Sequence, residues 1–224
     1  MAWTFSEQIH ALTGLDAASN SDSETGEDYR VLSAQWLTDA VREVINILPP
    51  KLKEKCITES ILTNSPTSMD MDGKGDIISV TRRYSDSGYW VNCRKVSTEY
   101  SSLTQDSTSL HYATVTDPVY YIQSQSDIST LFVQPTPTAN QTAIIYHVGN
   151  PSIAYGDTSI ANFPDEAEYL VPLRAAITAA EYQLAIEEDA ELYMPVIATL
   201  KAQYQEGVMA LQTGSITPQR KGGQ

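Results

Sequence analysis

The sequence predicts an α+β protein in which an antiparallel β-sheet or small sandwich is inserted into a helical bundle. Three observations predict this: apolar residues at helical spacing in the first 50 residues, strand and turn formers between 57 and 150, and two helix-forming runs after them. At 224 residues the chain can bury a core without disulfides or metals. We expect N-terminal helices over 1–56, a β module over 57–150, an antiparallel helix pair over 151–212 and a flexible arm over 213–224.

The N-terminal part predicts two helices. Thr4 followed by Glu7 fits a capping box for a short helix that ends before Gly14. A second helix carries an apolar stripe at spacings of three and four, and the prolines Pro49 and Pro50 terminate it. The stripe consists of Trp36, Leu37, Ala40, Val41, Val44, Ile45 and Leu48.

The middle third predicts short antiparallel strands, including two hairpins. The runs 77–84 and 89–96 flank the turn SDSG, and the runs 129–135 and 142–148 flank TPTANQ. The first strand of the second pair alternates apolar and polar residues, as a strand with one buried face requires. These strands would form a compact sheet or small sandwich.

The run FPDEAEYLVPLRAAITAAEYQLA, residues 163–185, predicts a long helix with Pro164 in its first turn. Its apolar seam steps by three and four through Leu170, Leu173, Ile177, Ala180 and Leu184. Alanines surround this seam, so other helices can approach on more than one side. We expect some of those partners to belong to other copies of the chain.

A second C-terminal helix is predicted to run to Thr213 and Gly214. A break at 187–189, or the proline at 195, would turn or kink the chain so that the two helices lie antiparallel. The apolar face of this helix contains Tyr193, Ile197, Leu200, Tyr204, Val208 and Leu211.

Charge and composition exclude several classes of function. With 28 acidic and 14 basic residues the net charge is −14, which repels nucleic acid and argues against sequence-specific DNA binding. Cys56 and Cys93 have no CxxC spacing and are expected to be reduced thiols. The sequence contains neither an export signal nor a long apolar run, so we expect no membrane association.

No catalytic, cofactor-binding or metal-binding residues are predicted. The segment Asp70–Asp76 resembles a calcium loop only in part, because Lys74 and Thr81 occupy two ligand positions; a hairpin turn explains its composition. The histidines have no ligand spacing, and no nucleophile motif is present. The three histidines are His10, His111 and His147. We therefore expect a protein that is not an enzyme.

Two features suggest contact with other proteins. Basic pairs occur at Arg82–Arg83, Arg94–Lys95 and Arg220–Lys221; these are either solvated strand edges or contacts to acidic patches of a neighbouring copy. Tyrosine outnumbers phenylalanine 13 to 3, and tyrosine is common both in interfaces and on half-exposed sheets. Both interpretations remain open from the sequence.

Three parts of the sequence follow one another as helix, strand-rich insertion and helix run: WLTDAVREVINILPP, then DPVYYIQSQ with LFVQPTPTANQTAIIYHV, then FPDEAEYLVPLRAAITAAEYQLA. In this order the chain resembles, over most of residues 30–212, the head-to-tail adaptor (neck or connector) proteins of tailed bacteriophages. The resemblance implies a ring of twelve copies that joins the portal to tail, stopper or nozzle proteins in the virion. It implies no catalytic residues and no cofactor. The large sheet insertion departs from the smaller members of that family.

The resemblance also implies roles for particular residues. Those expected in helix packing or an oligomer interface are Trp36, Leu37, Val41, Leu170, Leu173, Ile177, Ala180, Leu184, Ile197, Leu200 and Tyr204. Those expected in a portal-docking arm are Ile216, Pro218, Arg220 and Lys221. As a hypothesis that fits the resemblance, some of the acids in 16–28 and 187–191 line the lumen of the ring, where DNA passes as non-specific cargo without sticking; the alternative is that they only keep the subunit soluble.

Two alternatives stay open. A carbohydrate-binding or receptor-binding virion module would use the tyrosine-rich sheet and Trp90. A tail-tube or tail-completion subunit would differ from the adaptor in copy number on the particle.

Overall fold

A computed structural model shows a mixed α+β protein with two four-stranded sheets. It describes residues 3–14, 29–86, 88–125, 128–187 and 190–213. The chain divides into two compact units: unit 1 combines Met1–Cys56 with Pro151–Gln224, and unit 2 is Ile57–Asn150.

Unit 1 is helical in the part that the structure describes. Its helices are α1 (Phe5–Thr13), α2 (Tyr29–Ile47), α3 (Pro50–Lys53), α4 (Asp165–Glu168), α5 (Leu170–Glu187) and α6 (Ala190–Thr213), with a 3₁₀ turn at Glu54–Cys56.

The two N-terminal helices begin and end where local chemistry predicts. The Thr4 amide donates to the Glu7 carboxylate at 2.7 Å and the Glu7 amide donates to the Thr4 hydroxyl at 3.2 Å, which confirms the capping box. Gly14 ends α1 in the left-handed region at φ 75°. Helix α2 ends at Ile47, and Pro50 opens the short α3, which confirms the predicted termination at the prolines.

The predicted helix over 163–185 is interrupted. Helix α4 ends at Glu168, Tyr169 caps it, and α5 begins at Leu170. The cause is Pro172, which lacks an amide hydrogen and whose ring would clash with the carbonyl four residues earlier. Placing Pro172 in the first turn of a new helix removes the conflict.

Helix α5 lies at the centre of unit 1 and is contacted by α1, α2 and α6. None of its residues from 170 to 180 is exposed. Ala175, Ala176, Ala179 and Ala180 are buried on different sides of the helix. Small side chains on several faces allow three helices to approach one, which is the packing that the alanines predicted.

A polar network joins three helices at the edge of this core. Arg174 of α5 donates to the Glu43 carboxylate of α2 at 2.7 Å and to the Thr178 hydroxyl at 3.1 Å. Tyr204 of α6 donates to the other Glu43 oxygen at 3.5 Å. Burial and, second, the Glu43 charge raise the pKa of Tyr204 to about 12, so its hydroxyl remains a donor at neutral pH.

Helix α6 runs back along α5. Tyr193 and Ile197 pack on Ala180 near the end of α5, whereas Gly207 lies against Leu170 at its start. Pro195 lies inside α6, so the proline does not end that helix; α5 ends at Glu187 and α6 begins at Ala190. A Cβ on Gly207 would lie 2.6 Å from Leu170 Cδ2 and 2.7 Å from the Tyr169 hydroxyl.

We predict that Gly207→Ala destabilises unit 1 by about 1 kcal/mol, because overpacking against buried Leu170 outweighs the gain in helix propensity of about 1 kcal/mol. Ala202→Gly, at an exposed position of the same helix, measures the propensity term alone. Both are read by urea denaturation. The close packing is contradicted if Gly207→Ala raises the free energy of unfolding by as much as Ala202→Gly lowers it.

Unit 2 is a β-sandwich of two sheets. Its strands are β1 (Ile57–Leu62), β2 (Ser68–Asp70), β3 (Ile77–Arg83), β4 (Trp90–Asn92), β5 (Arg94–Lys95), β6 (Val119–Gln125), β7 (Ile128–Gln134) and β8 (Ala143–Val148). Sheet I has the order β1-β8-β3-β4 and sheet II the order β2-β7-β6-β5. Neighbouring strands of both sheets pair antiparallel except β5 with β6, which are parallel.

The two sheets bury one shared core. Leu62, Val80 and Ile145 of sheet I and Leu131 and Val133 of sheet II belong to one hydrophobic cluster. Cys93 links the two sheets along the chain and belongs to the same cluster. The burial of residues 131 and 133 confirms the predicted alternation in β7.

One predicted hairpin is confirmed and the other is wrong. Strands β3 and β4 pair through Arg83 and Trp90. Strands β7 and β8, however, belong to different sheets: β7 pairs with β2 and β6, and β8 with β1 and β3. The apolar faces of β7 and β8 meet across the core, so each strand buries the face of the other. If the two strands paired edge to edge, they would lie in one sheet and their apolar faces would not cover each other. The segment Asp70–Asp76 likewise connects sheet II to sheet I and is no hairpin turn.

A buried arginine holds the segment between β7 and β8. Arg82 is 2% exposed, and its guanidinium donates to oxygens of four residues. The acceptors are the carbonyls of Pro135 at 2.9 Å, Arg83 at 3.0 Å and Thr136 at 3.4 Å, and the Gln141 side chain at 3.3 Å. Burial lowers the pKa of Arg82. Charge-assisted hydrogen bonds to carbonyl oxygens thus replace the counter-ion that a buried charge otherwise needs.

We predict that Arg82→Met destabilises unit 2 by roughly 3–5 kcal/mol, because it leaves buried carbonyl oxygens without donors. Arg83→Met is the control, since the next side chain points to the other face and should cost less than about 1 kcal/mol. Urea denaturation of the full chain measures both. Equal stability of Arg82→Met and wild type contradicts the proposed role of the guanidinium.

Candidate functional site

The residues predicted for helix packing form the interior of unit 1. Leu37, Val41, Leu170, Leu173, Ile177, Ala180, Ile197 and Leu200 are buried, and Trp36, Leu184 and Tyr204 are half-buried. Trp36 of α2 packs on Tyr182 of α5 with ring centroids 5.4 Å apart. These residues are brought together by the chain's own helices.

Within one chain, α1, α2 and α6 already supply the neighbours of the alanine-rich stretch, whereas the expectation that other copies pack along this helix stays a prediction. Because residues 170–180 contain no exposed position, a second copy can reach them only by displacing α1, α2 or α6. Any interface between copies therefore has to use other side chains. On α6, Met194 and Met209 are examples of large apolar residues that are exposed.

The predicted docking arm lies outside the described residues. This applies to Ile216, Pro218, Arg220 and Lys221, and to the acidic segment 16–28. Of the second acidic segment, 187–191, the positions 188 and 189 are likewise outside the described residues.

Unit 2 contains a serine–histidine pair that the sequence did not predict. The Ser60 hydroxyl of β1 and His147 Nε2 of β8 are 3.0 Å apart, and His147 Nδ1 is 3.0 Å from the Val148 carbonyl oxygen. A carbonyl oxygen only accepts, so in the neutral ring Nδ1 donates to it and Nε2 accepts from Ser60. A serine, a base and a group that orients the base are the elements of nucleophilic catalysis.

The surroundings of this pair are those of a core. Ser60 and His147 lie on the same face of sheet I as Leu62, Ala143 and Ile145, which point into the sandwich. His147 is 4% exposed. The orienting acceptor is a backbone carbonyl, which carries no charge to stabilise an imidazolium. The pair therefore satisfies two polar groups at the end of the core.

We predict that a fluorophosphonate probe does not label Ser60, because His147 is buried and its orienting acceptor is an uncharged carbonyl, so it is a poor general base for the half-buried hydroxyl. Ser60→Ala should instead reduce stability by about 1 kcal/mol through the lost hydrogen bond. Mass spectrometry of the probe-treated full chain gives the result, with Ser129 of the opposite sheet as an internal reference. Selective labelling of Ser60 contradicts this interpretation and establishes a nucleophile.

The cysteines are free and buried, as the sequence predicted. Burial raises the pKa of Cys56 to about 11 and that of Cys93 to about 12. Because the thiolate is the reactive form, the raised pKa values disfavour nucleophilic attack by either side chain at neutral pH.

No group of three or more His, Cys, Asp or Glu side chains within the described ranges could hold a metal ion. At the partial calcium motif, Asp70 accepts from the Asp72 amide at 2.8 Å, and Asp72 accepts from the Gly73 amide at 3.1 Å. These bonds are typical of carboxylates that stabilise a turn.

Two open cavities lie on the separate units. The first, of about 500 Å³, is lined by Lys95, Val96, Ser97, Thr98 and Ile122 of unit 2. The second, of about 380 Å³, lies between α1 and α6 and is lined by Ala11, Leu12, Pro195, Val196, Thr199, Leu200 and Gln203. The first lining contains Lys95, Ser97 and Thr98, but in the described chain no hydrogen bond joins Lys95 to either hydroxyl, and Thr98 donates to the Ile122 carbonyl at 2.6 Å; the second lining contains no titratable side chain.

The basic pairs of unit 2 differ in their surroundings. Arg82 is buried against its own chain, which corrects the expectation that both arginines of the first pair are solvated or face another copy. Arg94 forms a salt bridge with Asp117 at 3.1 Å, and Lys95 is exposed. Arg83 lies 5.6 Å from the Trp90 ring centroid, at the distance of a cation–π contact.

Several aromatic and aliphatic side chains of unit 2 are exposed. Tyr89 is 87% exposed and Leu110 is 94% exposed. Tyr100 stacks on His111 with centroids 4.5 Å apart, and His111 Nδ1 is buried without a hydrogen-bond partner. Singly exposed apolar side chains are common on protein surfaces, so they indicate a contact surface only where they adjoin one another.

A scan against protein-family models and a search of curated proteins both found no match for this chain. Within the described part of the chain, no helix has the length and apolar character that crossing a bilayer requires.

Proposed function

We propose that the chain is a structural, non-enzymatic adaptor subunit of a tailed-phage virion, forming a ring at the head-to-tail junction. In this proposal unit 1 is a helical bundle, copies associate head to tail into a closed ring of about twelve, and DNA passes through the lumen. The ring joins the portal protein above it to tail, stopper or nozzle proteins below it.

The observation that carries the proposal is the interrupted helical unit. The chain leaves unit 1 after residue 56, folds a separate sandwich from 57 to 150, and returns at 151 to complete the same helical unit. This is the order of helix, insertion and helix pair on which the resemblance to phage adaptors depends. A core built from buried alanines and leucines gives such a subunit a rigid body.

Charge supports a role next to DNA without recognition of DNA. Unit 1 holds 19 acidic and 9 basic residues, a net −10, and unit 2 holds 9 and 5, a net −4. Both units therefore repel the phosphate backbone, so a lumen lined by this chain would let DNA slide.

The chemistry of the described residues supports the non-enzymatic part of the proposal. The serine–histidine pair faces a core, both thiols are buried, and the two cavities lack reactive pairs. The exposed side chains offer contact surface instead of acid–base chemistry. Cofactors have no role in the proposed function.

A second candidate, a saccharide-binding or receptor-binding virion module, is favoured by the exposed ring of Trp90 and by Tyr89 beside it. Aromatic rings at a surface can stack on sugars. Titration of the chain with host-surface saccharides separates the candidates, since the module shows a change in tryptophan fluorescence and the adaptor shows none.

We predict that the purified chain, mixed with a portal ring from the same phage, forms a complex in which native mass spectrometry counts about twelve copies per portal. Deletion of residues 214–224, which include the proposed portal contacts Ile216, Pro218, Arg220 and Lys221, should weaken the complex at least about tenfold. Deletion of 16–28 is the control, because it removes a comparable length of chain away from the arm. A single copy per particle overturns the ring.

A further inference from the structure

Sheet I has an outer face whose side chains the register identifies. Directly opposed residues in neighbouring strands share a face, and successive residues alternate. Leu62 and Ile145 point into the core, so Ile61 and Ile144 point outward. Adjacent rows of this face contain Ile61, Ile144, Thr81 and Asn92; Glu59, Tyr146 and Ser79; and Arg83 with Trp90. We call these nine residues the outer face.

The outer face holds four large apolar or aromatic side chains among its nine residues, and its strand β8 is apolar on both sides. An antiparallel sheet with one wet face alternates apolar and polar residues, yet β8 places Ile144 and Tyr146 outward while Ala143 and Ile145 point inward. On the outer strands, Ile61 is 57% exposed and Trp90 is 44% exposed. A strand that is apolar on both sides indicates a second layer of protein.

Arg83 adds a specific charge to this face. Its guanidinium lies 5.6 Å from the Trp90 ring centroid, and its Nε is buried without a hydrogen-bond partner. Among the residues that the structure describes, no carboxylate forms a salt bridge with Arg83. The buried Nε–H of the charged Arg83 side chain therefore has no acceptor. The acceptor that fits a guanidinium best is a carboxylate.

We propose that the outer face binds an acidic, partly apolar surface on unit 1 of a second copy of this chain. The inference rests on the proposed ring function and names the surface through which the ring closes. In the complex, a carboxylate of the second copy accepts from Arg83, and apolar side chains cover Ile61, Ile144, Tyr146 and Trp90.

The outer face carries one carboxylate, Glu59, and one guanidinium, Arg83; because Arg83 has the unpartnered donor, it favours an acidic occupant, and unit 1 of a second copy is acidic. Unit 1 holds 19 acidic and 9 basic residues, so every copy supplies the carboxylates that Arg83 lacks. It also presents large apolar side chains, for example Met194 and Met209. A closed ring needs two different complementary surfaces on each copy, and a sheet face with an arginine against an acidic helical surface is such a pair.

The first test is photo-cross-linking of the full chain with benzoylphenylalanine at Asn92, an exposed position on the outer face. Leu110 of the same unit, which is 94% exposed, is the control position, because random collisions would favour it. We expect dimers and higher ladders from Asn92, with cross-linked peptides from unit 1, and few from Leu110. Cross-links from Asn92 only within one chain, or only to a portal or tail protein, overturn the choice of a second copy.

The second test is the charge reversal Arg83→Glu, with Lys95→Glu on sheet II as a control of equal charge change at an exposed site. We expect Arg83→Glu to raise the concentration at half-assembly at least about tenfold, whereas Lys95→Glu changes it less than about twofold. Native mass spectrometry counts the copies, and urea denaturation shows that both variants fold. The cross-linking result does not depend on the stability of Arg83→Glu.

The outcomes separate this inference from the proposed function. If rings form and Arg83→Glu assembles like Lys95→Glu, the outer face is not the interface, although the ring remains. If wild type stays monomeric both alone and with the portal, the ring and the inference are overturned together. The ring and the outer-face interface are both supported if wild-type rings are cross-linked from Asn92 and Arg83→Glu no longer forms rings.

Discussion

Unit 1 depends on the burial of helix α5. Three helices can surround one only where its side chains are small, and the alanines from 175 to 180 provide that space. Gly207 of α6 extends the same principle, since it lets a backbone approach Leu170 and Tyr169 closely. Because this core is complete within one chain, the subunit has a fixed body, and association has to use its outside.

In unit 2 the polar groups of the interior are also used within the chain. Arg82 donates to the segment that carries the chain from sheet II to sheet I, and Ser60 and His147 bond to each other at the end of the core. Such groups hold the sandwich in one arrangement, and their hydrogen bonds are made within the chain. On the outside, aromatic and aliphatic side chains such as Tyr89 and Leu110 are exposed beside polar ones, and Arg83 has no carboxylate partner among the residues that the structure describes, which suits binding to protein.

Local rules predicted local structure well. The capping box at Thr4, the end of α2 before the prolines and the β3–β4 hairpin depend on neighbours a few residues apart. The β7–β8 pairing failed because alternation tells which side of a strand is buried but not which strand lies beside it. Two further contacts depend on strand register and cannot be predicted from nearby residues. Arg82 is buried, and Ser60 contacts His147, which is 87 residues away in the sequence. The alanines correctly indicated packing on several sides, yet could not show that the chain supplies those helices itself.

Amide hydrogen exchange on isolated and assembled protein tests most directly whether α5 is internal to the subunit. The account predicts that amides from 170 to 180 are among the slowest in the isolated chain and do not slow further on assembly, while β1 and β4 of the outer face become protected. Rapid exchange along α5 in the isolated chain, with protection appearing only in the assembly, would contradict it and make α5 an interface helix.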